Sequence, residues 1–207
     1  MKLYVFPPSP RAFRVLAVAN HLGLRYETHI VDLSKGEQLT PEYGALNPNK
    51  RIPALEDDGF VLWESNAIIQ YLASKKPESG LYPADPRKQA DISRWLFWDA
   101  AHWDSSCAIL IFERVVKKIF NRGQPDEVEI AKGIERFHRA AAVLDAQLRG
   151  HKYVTGTNLT VADFALGASV NLAQMAEFPL QPYAEIRRWH AELSELPAWK
   201  KSLPPRG

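Results

Sequence analysis

The chain of 207 residues is 46% hydrophobic and 24% charged, which is typical of a soluble globular protein with one large domain or two small ones. Its formal net charge of +2 is close to balance, and lysine and arginine are scattered along the chain. A dedicated nucleic-acid-binding surface is therefore not expected.

Cysteine usage and the apolar runs indicate the compartment. Cys107 is the single cysteine, which rules out an intrachain disulfide framework and fits a reducing compartment. No apolar run approaches the length of a membrane span, and the first apolar run is too short for a signal peptide. These features predict a cytoplasmic protein with no membrane partner.

The first part of the chain alternates strand and helix patterns. Residues 2–6 form an apolar strand that two prolines end. The helix that follows has one apolar face, made by Ala12, Val15, Leu16, Ala19 and Leu22. Alternating side chains over residues 26–32 predict a second strand, which a right-handed crossover would place parallel to the first. Thr40 then caps a short helix.

The stretch from Lys50 to Leu72 predicts a hairpin followed by a helix. Its two short apolar runs flank Glu56-Asp57-Asp58-Gly59, a composition typical of a tight turn. After Trp63 the apolar positions change to helical spacing, and Ser65 stands where the N-cap residue belongs. The element order is then β-α-β-α-β-β-α, which is that of a thioredoxin-like domain.

Two features of this stretch suit a ligand with the charges of an amino acid. A helix that begins at Ser65 presents N–H groups and a positive dipole end to a carboxylate, and Glu64 beside it would attract an ammonium group. If the Ile52–Pro53 bond is cis, the Ile52 backbone would be exposed for pairing with an extended peptide. The alternative is structural, with Ser65 as a plain cap, Glu64 as a first-turn charge and Pro53 as a strand start.

A polar, breaker-rich segment between about residues 74 and 86 indicates a linker. We therefore expect two domains, over residues 1–76 and 87–207. The fold class is α/β followed by all-α, that is, a thioredoxin-like N-terminal domain and an all-helical C-terminal domain.

Helical signals dominate after the linker. One helix is expected from about residue 87 to 120, and another has apolar residues at alternating spacings of four and three from Ile130 to Leu148. Thr160 and Asp163 form a capping-box pattern at the start of a third helix. The six histidines show no metal-ligand spacing, so no metal site is expected.

Three separated motifs stand in an order typical of one enzyme family: Phe6–Val15, Asn47–Leu55 and Trp63–Ile68. Together they resemble the glutathione-binding half of cytosolic glutathione transferases, closest to the serine-type (phi- and theta-like) classes. The detailed similarity covers residues 1–75, and Thr160–Asp163 extends it more loosely into the helical half. Three motifs in the right order are far more specific than any one of them.

The resemblance implies that glutathione is the co-substrate, with no other cofactor, and that Ser9 is the catalytic residue. Ser9 lies on the loop between the first strand and the first helix, where such sheets bind ligands. Its hydroxyl would donate a hydrogen bond to the bound thiol and lower the thiol pKa from about 8.5 toward neutrality. A plain turn role for Ser9 is the alternative. Ser105, Ser106 or a backbone amide could also supply the donor.

The resemblance also assigns the binding residues. Glu64 and Ser65 would hold the γ-glutamyl end of glutathione, and the Ile52 backbone would pair with the cysteinyl part. The complete glutathione-binding set is Gln38, Lys50, Arg51, Ile52, Pro53, Glu64 and Ser65. The hydrophobic substrate pocket would be lined by Phe13, His102, Trp103 and Phe112.

The implied activity is attack of the glutathione thiolate on hydrophobic electrophiles, by a cytoplasmic homodimer with a role in detoxification. One alternative is a glutathione-dependent peroxidase or isomerase at the same site. The other is a non-catalytic binding or scaffold protein that keeps the fold, since fold alone does not imply activity. Ser9, Glu64 and Ser65 together favour the enzyme, because a scaffold need retain none of them.

Overall fold

The structure, a computed structural model, describes residues 1–204 and divides into two compact units. The first unit comprises residues 1–82 and the segment that begins at Glu195, and the second comprises residues 83–194. The strands of the first unit are β1 (Lys2–Val5), β2 (Glu27–Ile30), β3 (Ala54–Asp57) and β4 (Phe60–Trp63). Its first three helices are α1 (Pro10–His21), α2 (Pro41–Leu46) and α3 (Ser65–Ser74).

The strands form one sheet in the order β2-β1-β3-β4. β1 pairs in parallel with β2 and antiparallel with β3, and β3 pairs antiparallel with β4. The register sets Val5 opposite Ile30, and Ala54 opposite both Tyr4 and Trp63. The carboxyl ends of β1, β2 and β4 therefore meet the amino end of β3 at one edge of the sheet, which we call the site edge. The thioredoxin-like fold expected from the element order is confirmed.

Helical segments dominate the second unit. They are α4 (Pro86–Trp98), α5 (Asp104–Ile111), α6 (Lys117–Ile119), α7 (Glu127–Leu148), α8 (Val161–Val170) and α9 (Ala184–Ser194). Two π-helical turns, Asp99–Trp103 and Phe112–Val116, join α4, α5 and α6 into one continuous helical segment. The long helix expected from about residue 87 to 120 is therefore present, with two local changes of pitch.

Helix α8 forms the centre of the second unit. Every residue of α8 is buried, as expected for a helix that packs against neighbours on all sides. The capping box at its start is confirmed, since the Asp163 carboxylate accepts from the Thr160 N–H at 2.9 Å and Thr160 in turn caps the helix. Within residues 1–204, no helix is long and apolar enough to cross a membrane.

The C-terminal helix α10 (Pro197–Ser202) belongs to the first unit and packs against α1. The Trp199 side chain is fully buried, with its ring 4.8 Å from that of Phe13 in an edge-on arrangement. The Asn20 side chain donates to the Ser202 hydroxyl at 2.8 Å. The observed division thus differs from the expected one, in which residues 87–207 form a single domain, because α10 buries its apolar face on the thioredoxin-like unit.

Gly133 allows a close crossing of α5 and α7, and its replacement by alanine should destabilise the protein. A Cβ at Gly133 would lie 2.9 Å from the Ile109 Cγ2 and Leu110 Cδ2 atoms. Overpacking of this kind costs about 1–3 kcal/mol, which exceeds the roughly 1 kcal/mol gained when alanine replaces glycine in a helix. Urea unfolding should therefore report a net loss for Gly133→Ala.

The matched control for this prediction is Gly44→Ala in α2. A Cβ at Gly44 would meet only the flexible end of the Lys50 side chain, at 3.7 Å. Its stability should equal or exceed that of the wild type. Equal stability of the Gly133→Ala protein and the wild type would contradict the close-crossing argument.

Candidate active site

Ser9 occupies the turn between β1 and α1, at the site edge. Its N–H donates to the Phe6 carbonyl and its own carbonyl accepts from the Phe13 N–H, both at 2.9 Å, so Ser9 is the N-cap of α1. Pro10 at the first helical position fixes the chain direction. The Ser9 hydroxyl makes no capping hydrogen bond and has no partner among residues 1–204. This half-buried hydroxyl can therefore donate to a ligand.

Helix α3 begins at the site edge, and its N-cap residue has an unusual backbone conformation. The Ile68 N–H donates to the Glu64 carbonyl at 2.9 Å, so Glu64 is the N-cap and Ser65 is the first helical residue. The expectation that Ser65 is the N-cap is therefore wrong. Glu64 has φ 70° and ψ 111°, a conformation that non-glycine residues adopt at a cost of about 1–3 kcal/mol, mostly at functional sites. It turns the chain directly from β4 into α3.

Side chains at the start of α3 have distinct environments. Glu64 is exposed, whereas Ser65 is buried, and the Ser65 N–H has no partner among residues 1–204. Arg14 of α1, itself buried, donates to the Asn66 side-chain oxygen at 2.7 Å. The helix that carries Ser9 is therefore tied to the helix that begins at Ser65.

The third part of the site edge is the loop before β3. The Ile52–Pro53 peptide bond is cis, and Pro53 is buried. Among residues 1–204, the N–H and C=O groups of Ile52 have no hydrogen-bond partner. Lys50 adopts a left-handed conformation with φ 55°, and both Lys50 and Arg51 have exposed side chains. The loop thus offers an unpaired backbone segment with two cations beside it.

Gln38 follows β2 in a short 3₁₀ turn, Glu37–Leu39. Its side-chain oxygen is buried without a hydrogen-bond partner in the described part of the chain.

Within residues 1–204, no group of three or more His, Cys, Asp or Glu side chains could hold a metal ion.

The expected pocket residues have different environments. Phe13 is buried against Trp199 in the first unit, and Trp103 is fully buried in the second, where its indole N–H donates to the Leu166 carbonyl at 2.8 Å. His102 and Phe112 are exposed and lie in the two π-helical turns. Of the four, only His102 and Phe112 present substantial surface.

Two family models match the chain. The glutathione S-transferase N-terminal domain matches residues 1–74, and the glutathione S-transferase C-terminal domain matches residues 100–197. The chain belongs to the glutathione S-transferase family. The family predicted from the three motifs is thus confirmed, and the chain is a transferase enzyme for which glutathione is the co-substrate.

Individual relatives are similar over nearly their whole length. Glutathione S-transferase D7 of Drosophila melanogaster is 32% identical over 206 residues, which cover 98% of this chain and 88% of the relative. The crystal structure of glutathione transferase F2 from Populus trichocarpa matches with a TM-score of 0.90 and 26% identity, over 97% and 96% of the two chains. A glutathione transferase from Burkholderia graminis, with two glutathione molecules bound per subunit, matches with a TM-score of 0.84 and 27% identity, over 100% and 89%.

Sequence reasoning missed several residues that shape the site edge. They are Arg14 and Asn66, which join α1 to α3, and Tyr43 and Asn47, whose side chains both donate to the Arg51 carbonyl at 2.7 Å. Asparagine in a proline-containing turn is a local signal for side-chain-to-backbone bonding, and it could have identified Asn47. The other two contacts, Arg14 to Asn66 and Tyr43 to the Arg51 carbonyl, join residues whose partners no local pattern specifies.

Proposed function

We propose that this glutathione transferase binds glutathione at the site edge and that the Ser9 hydroxyl stabilises the glutathione thiolate. The observation that carries the proposal is the Ser9 hydroxyl, which is half-buried at the start of α1 and has no partner among residues 1–204. A hydrogen bond from this hydroxyl to the sulfur favours the charged form, so the pKa of the bound thiol falls below its usual value of about 8.5.

The other serines named as candidate donors are engaged elsewhere. The Ser105 hydroxyl donates to the Ala101 and His102 carbonyls at 3.1 Å, and the Ser106 hydroxyl donates to the His102 carbonyl at 2.6 Å. A hydroxyl has one proton to donate, so neither is free for a sulfur without breaking its own contact. This supports Ser9 as the donor.

The proposed reaction is nucleophilic attack by the thiolate on a hydrophobic electrophile. The thiol proton passes to solvent, a carbon–sulfur bond forms, and the bond from that carbon to the leaving group breaks with its electron pair. Ser9 is never covalently bonded, since it acts only by lowering the free energy of the negative sulfur. The exposed Phe112 and His102 are the proposed contacts for the electrophile, because aromatic faces suit flat apolar molecules.

The remaining glutathione contacts follow from the charges at the site edge. The Glu64 carboxylate attracts the γ-glutamyl ammonium group, while Ser65 and the dipole of α3 bind its carboxylate. The Ile52 backbone, directly before Pro53, pairs with the cysteinyl part. Lys50, Arg51 and Gln38 are proposed for the glycyl carboxylate. The glutathione bound to the Burkholderia graminis relative supports this assignment of ligand.

We further propose that the protein works in detoxification as a cytoplasmic homodimer. Exposed apolar side chains on the edge strand β4, at Phe60, Val61 and Trp63, support an interface between two copies. The presence of a single cysteine, Cys107, supports a reducing compartment.

The test is the ultraviolet absorbance of bound glutathione thiolate, measured against pH in the wild type and in Ser9→Ala. The wild type should bind glutathione with a depressed thiol pKa. Since a hydrogen bond to a charged group contributes about 1.5–3 kcal/mol, the pKa should rise by roughly 1–2 pH units in the variant.

Ser74→Ala is the matched control, because its hydroxyl donates to the Tyr71 carbonyl near the end of α3. It should leave the thiol pKa unchanged. Failure of the wild type to bind glutathione would refute the proposed site. A depressed pKa that survives Ser9→Ala would refute the role of Ser9.

A further inference from the structure

The carbonyl oxygen of Arg51 is held by two side chains at once. The Tyr43 hydroxyl and the Asn47 side-chain N–H group both donate to it at 2.7 Å. Short bonds to both lone pairs of one carbonyl fix the direction of its C=O bond. The Arg51 side chain, by contrast, is exposed.

The two donors are themselves held in place. Tyr43 is buried in a small apolar cluster with Tyr4, against which Ile52 also packs. Asn47 is buried as well, and its side-chain oxygen accepts from the N–H of Asn49 at 3.0 Å. Burial also raises the pKa of the Tyr43 hydroxyl, which keeps it protonated as a donor. The pair therefore forms a rigid anchor for one peptide group.

That peptide group also contains the N–H of Ile52. The Arg51–Ile52 bond is trans, and in a planar trans peptide the C=O and N–H bonds point in opposite directions. Because the carbonyl points toward Tyr43 and Asn47, the Ile52 N–H points away from them. This N–H has no partner among residues 1–204.

We propose that Tyr43 and Asn47 are positioning residues for glutathione, acting through the Arg51–Ile52 peptide. They fix the Ile52 N–H in the orientation in which it donates to the cysteinyl carbonyl of the bound tripeptide. The inference rests on the proposed function, since it concerns how the same site is built. Neither side chain touches glutathione.

A positioning role of this kind has a kinetic signature. The hydrogen bond from the Ile52 N–H to glutathione is present both before the sulfur attacks and in the transition state. Its loss therefore weakens the binding of the substrate and of the transition state equally. The KM for glutathione should rise while kcat stays unchanged. The pKa of the bound thiol should also stay unchanged, because the Ile52 N–H donates to the cysteinyl carbonyl and not to the sulfur. A merely structural role would lower the thermal midpoint and the active fraction without a change in KM.

The experiment compares Tyr43→Phe and Asn47→Ala with two matched controls. Tyr4→Phe removes a hydroxyl of the same apolar cluster, one that donates to Glu56 instead, and Asn49→Ala removes the side chain that donates to Asn47. Each test variant should raise the KM for glutathione about five- to tenfold, which corresponds to the free energy of one hydrogen bond. The controls should change KM less than twofold.

Amide hydrogen exchange at Ile52 in the wild type adds a measurement that needs no variant to fold. The amide should exchange rapidly in the free protein and at least tenfold more slowly with saturating glutathione. Protection of this amide in the free protein, or a KM in both test variants equal to that of the controls, would overturn the inference. If the wild type bound no glutathione at all, the proposed function would fail, whereas wild-type binding with unaffected variants would remove only the positioning role.

Discussion

Replacing Trp199 by alanine should lower the free energy of unfolding by about 3–5 kcal/mol, the range observed for large aromatic side chains removed from a core. Trp199 is fully buried between α10 and α1 and contacts the Phe13 ring edge-on. The loss combines the apolar area no longer buried with the cavity that remains. It would be a large share of the 5–15 kcal/mol typical of whole proteins.

The measurement is urea unfolding followed by circular dichroism, with Phe97→Ala as the control. Phe97 lies on α4 and is 76% exposed. Its replacement should cost much less, since most of its surface is already in water. Equal losses in the two variants would mean that α10 does not contribute to the stability of the thioredoxin-like unit.

This contact also links the C-terminal segment to the site. Phe13 lies one helical turn after Ser9, and its N–H bonds to the Ser9 carbonyl. The packing of Trp199 against Phe13 therefore stabilises the first turn of α1, which begins at Ser9, the proposed thiolate-stabilising residue. The sequence predicts Phe13 as a lining residue of the substrate pocket, and that assignment stays a prediction. In the structure its side chain is buried beside Trp199.

Features with a local cause were predictable from the sequence. Apolar side chains recur with a period of two in the strands and of 3.6 in the helices, and these patterns predict the element order of the first unit. The element order in turn predicts the thioredoxin-like fold, in which the strand ends meet at the site edge. Thr40 caps α2 as expected, with its hydroxyl accepting from the Tyr43 N–H at 3.3 Å. The capping box at Thr160 and Asp163 was also readable from residue types and spacing.

Features that depend on partners distant in sequence were not predictable. Nothing in the residues around Trp199 indicates that α10 packs on α1, more than 170 residues earlier in the chain. The N-cap of α3 was also not predictable: the sequence predicts Ser65, whereas the structure has Glu64. Intrinsic preferences favour serine as an N-cap and disfavour a positive φ for glutamate. The turn from β4 into α3 overrides both preferences.

Motif resemblance, rather than residue chemistry alone, led to the site. Ser9 is flanked by prolines, and a turn role explains a serine there equally well. The fold places Ser9, Ile52 and Glu64 at one edge of the sheet, a convergence that the strand register produces and no single motif contains. The anchoring roles of Tyr43 and Asn47 became visible only with their bonds to the Arg51 carbonyl.

Two titratable groups, the buried Asp163 of α8 and the partly buried His190 of α9, should give opposite pH dependences of stability. Asp163 is fully buried, and burial raises its pKa to about 6, against the opposing effect of hydrogen bonds from the Val154 N–H and the Trp189 indole, among others. His190 lies beside Trp189 on α9, bonds to Asn171 at 3.1 Å, and has its pKa lowered by burial to about 4.

The signs follow from proton binding. Between pH 4 and 6 folded Asp163 keeps a proton that the unfolded chain has released, so its contribution to stability falls as the pH rises. Between pH 4 and 6.5 folded His190 lacks a proton that the unfolded chain binds, so its contribution rises with pH. At about 1.4 kcal/mol per pH unit, each contribution changes by roughly 3 kcal/mol across its window. In the wild type the two largely cancel.

His190→Gln should remove one of these contributions while keeping a side-chain donor for Asn171. The difference in unfolding free energy between wild type and variant should then grow by roughly 3 kcal/mol in favour of the wild type from pH 4 to 6.5. Asp163→Asn should show the reverse slope, on top of a constant loss from its disrupted capping box. Urea titrations at half-unit pH steps measure both differences, and groups common to all three proteins cancel. Parallel curves for wild type and His190→Gln would mean that His190 is protonated equally in the folded and unfolded states, and that its partial burial on α9 imposes no electrostatic cost.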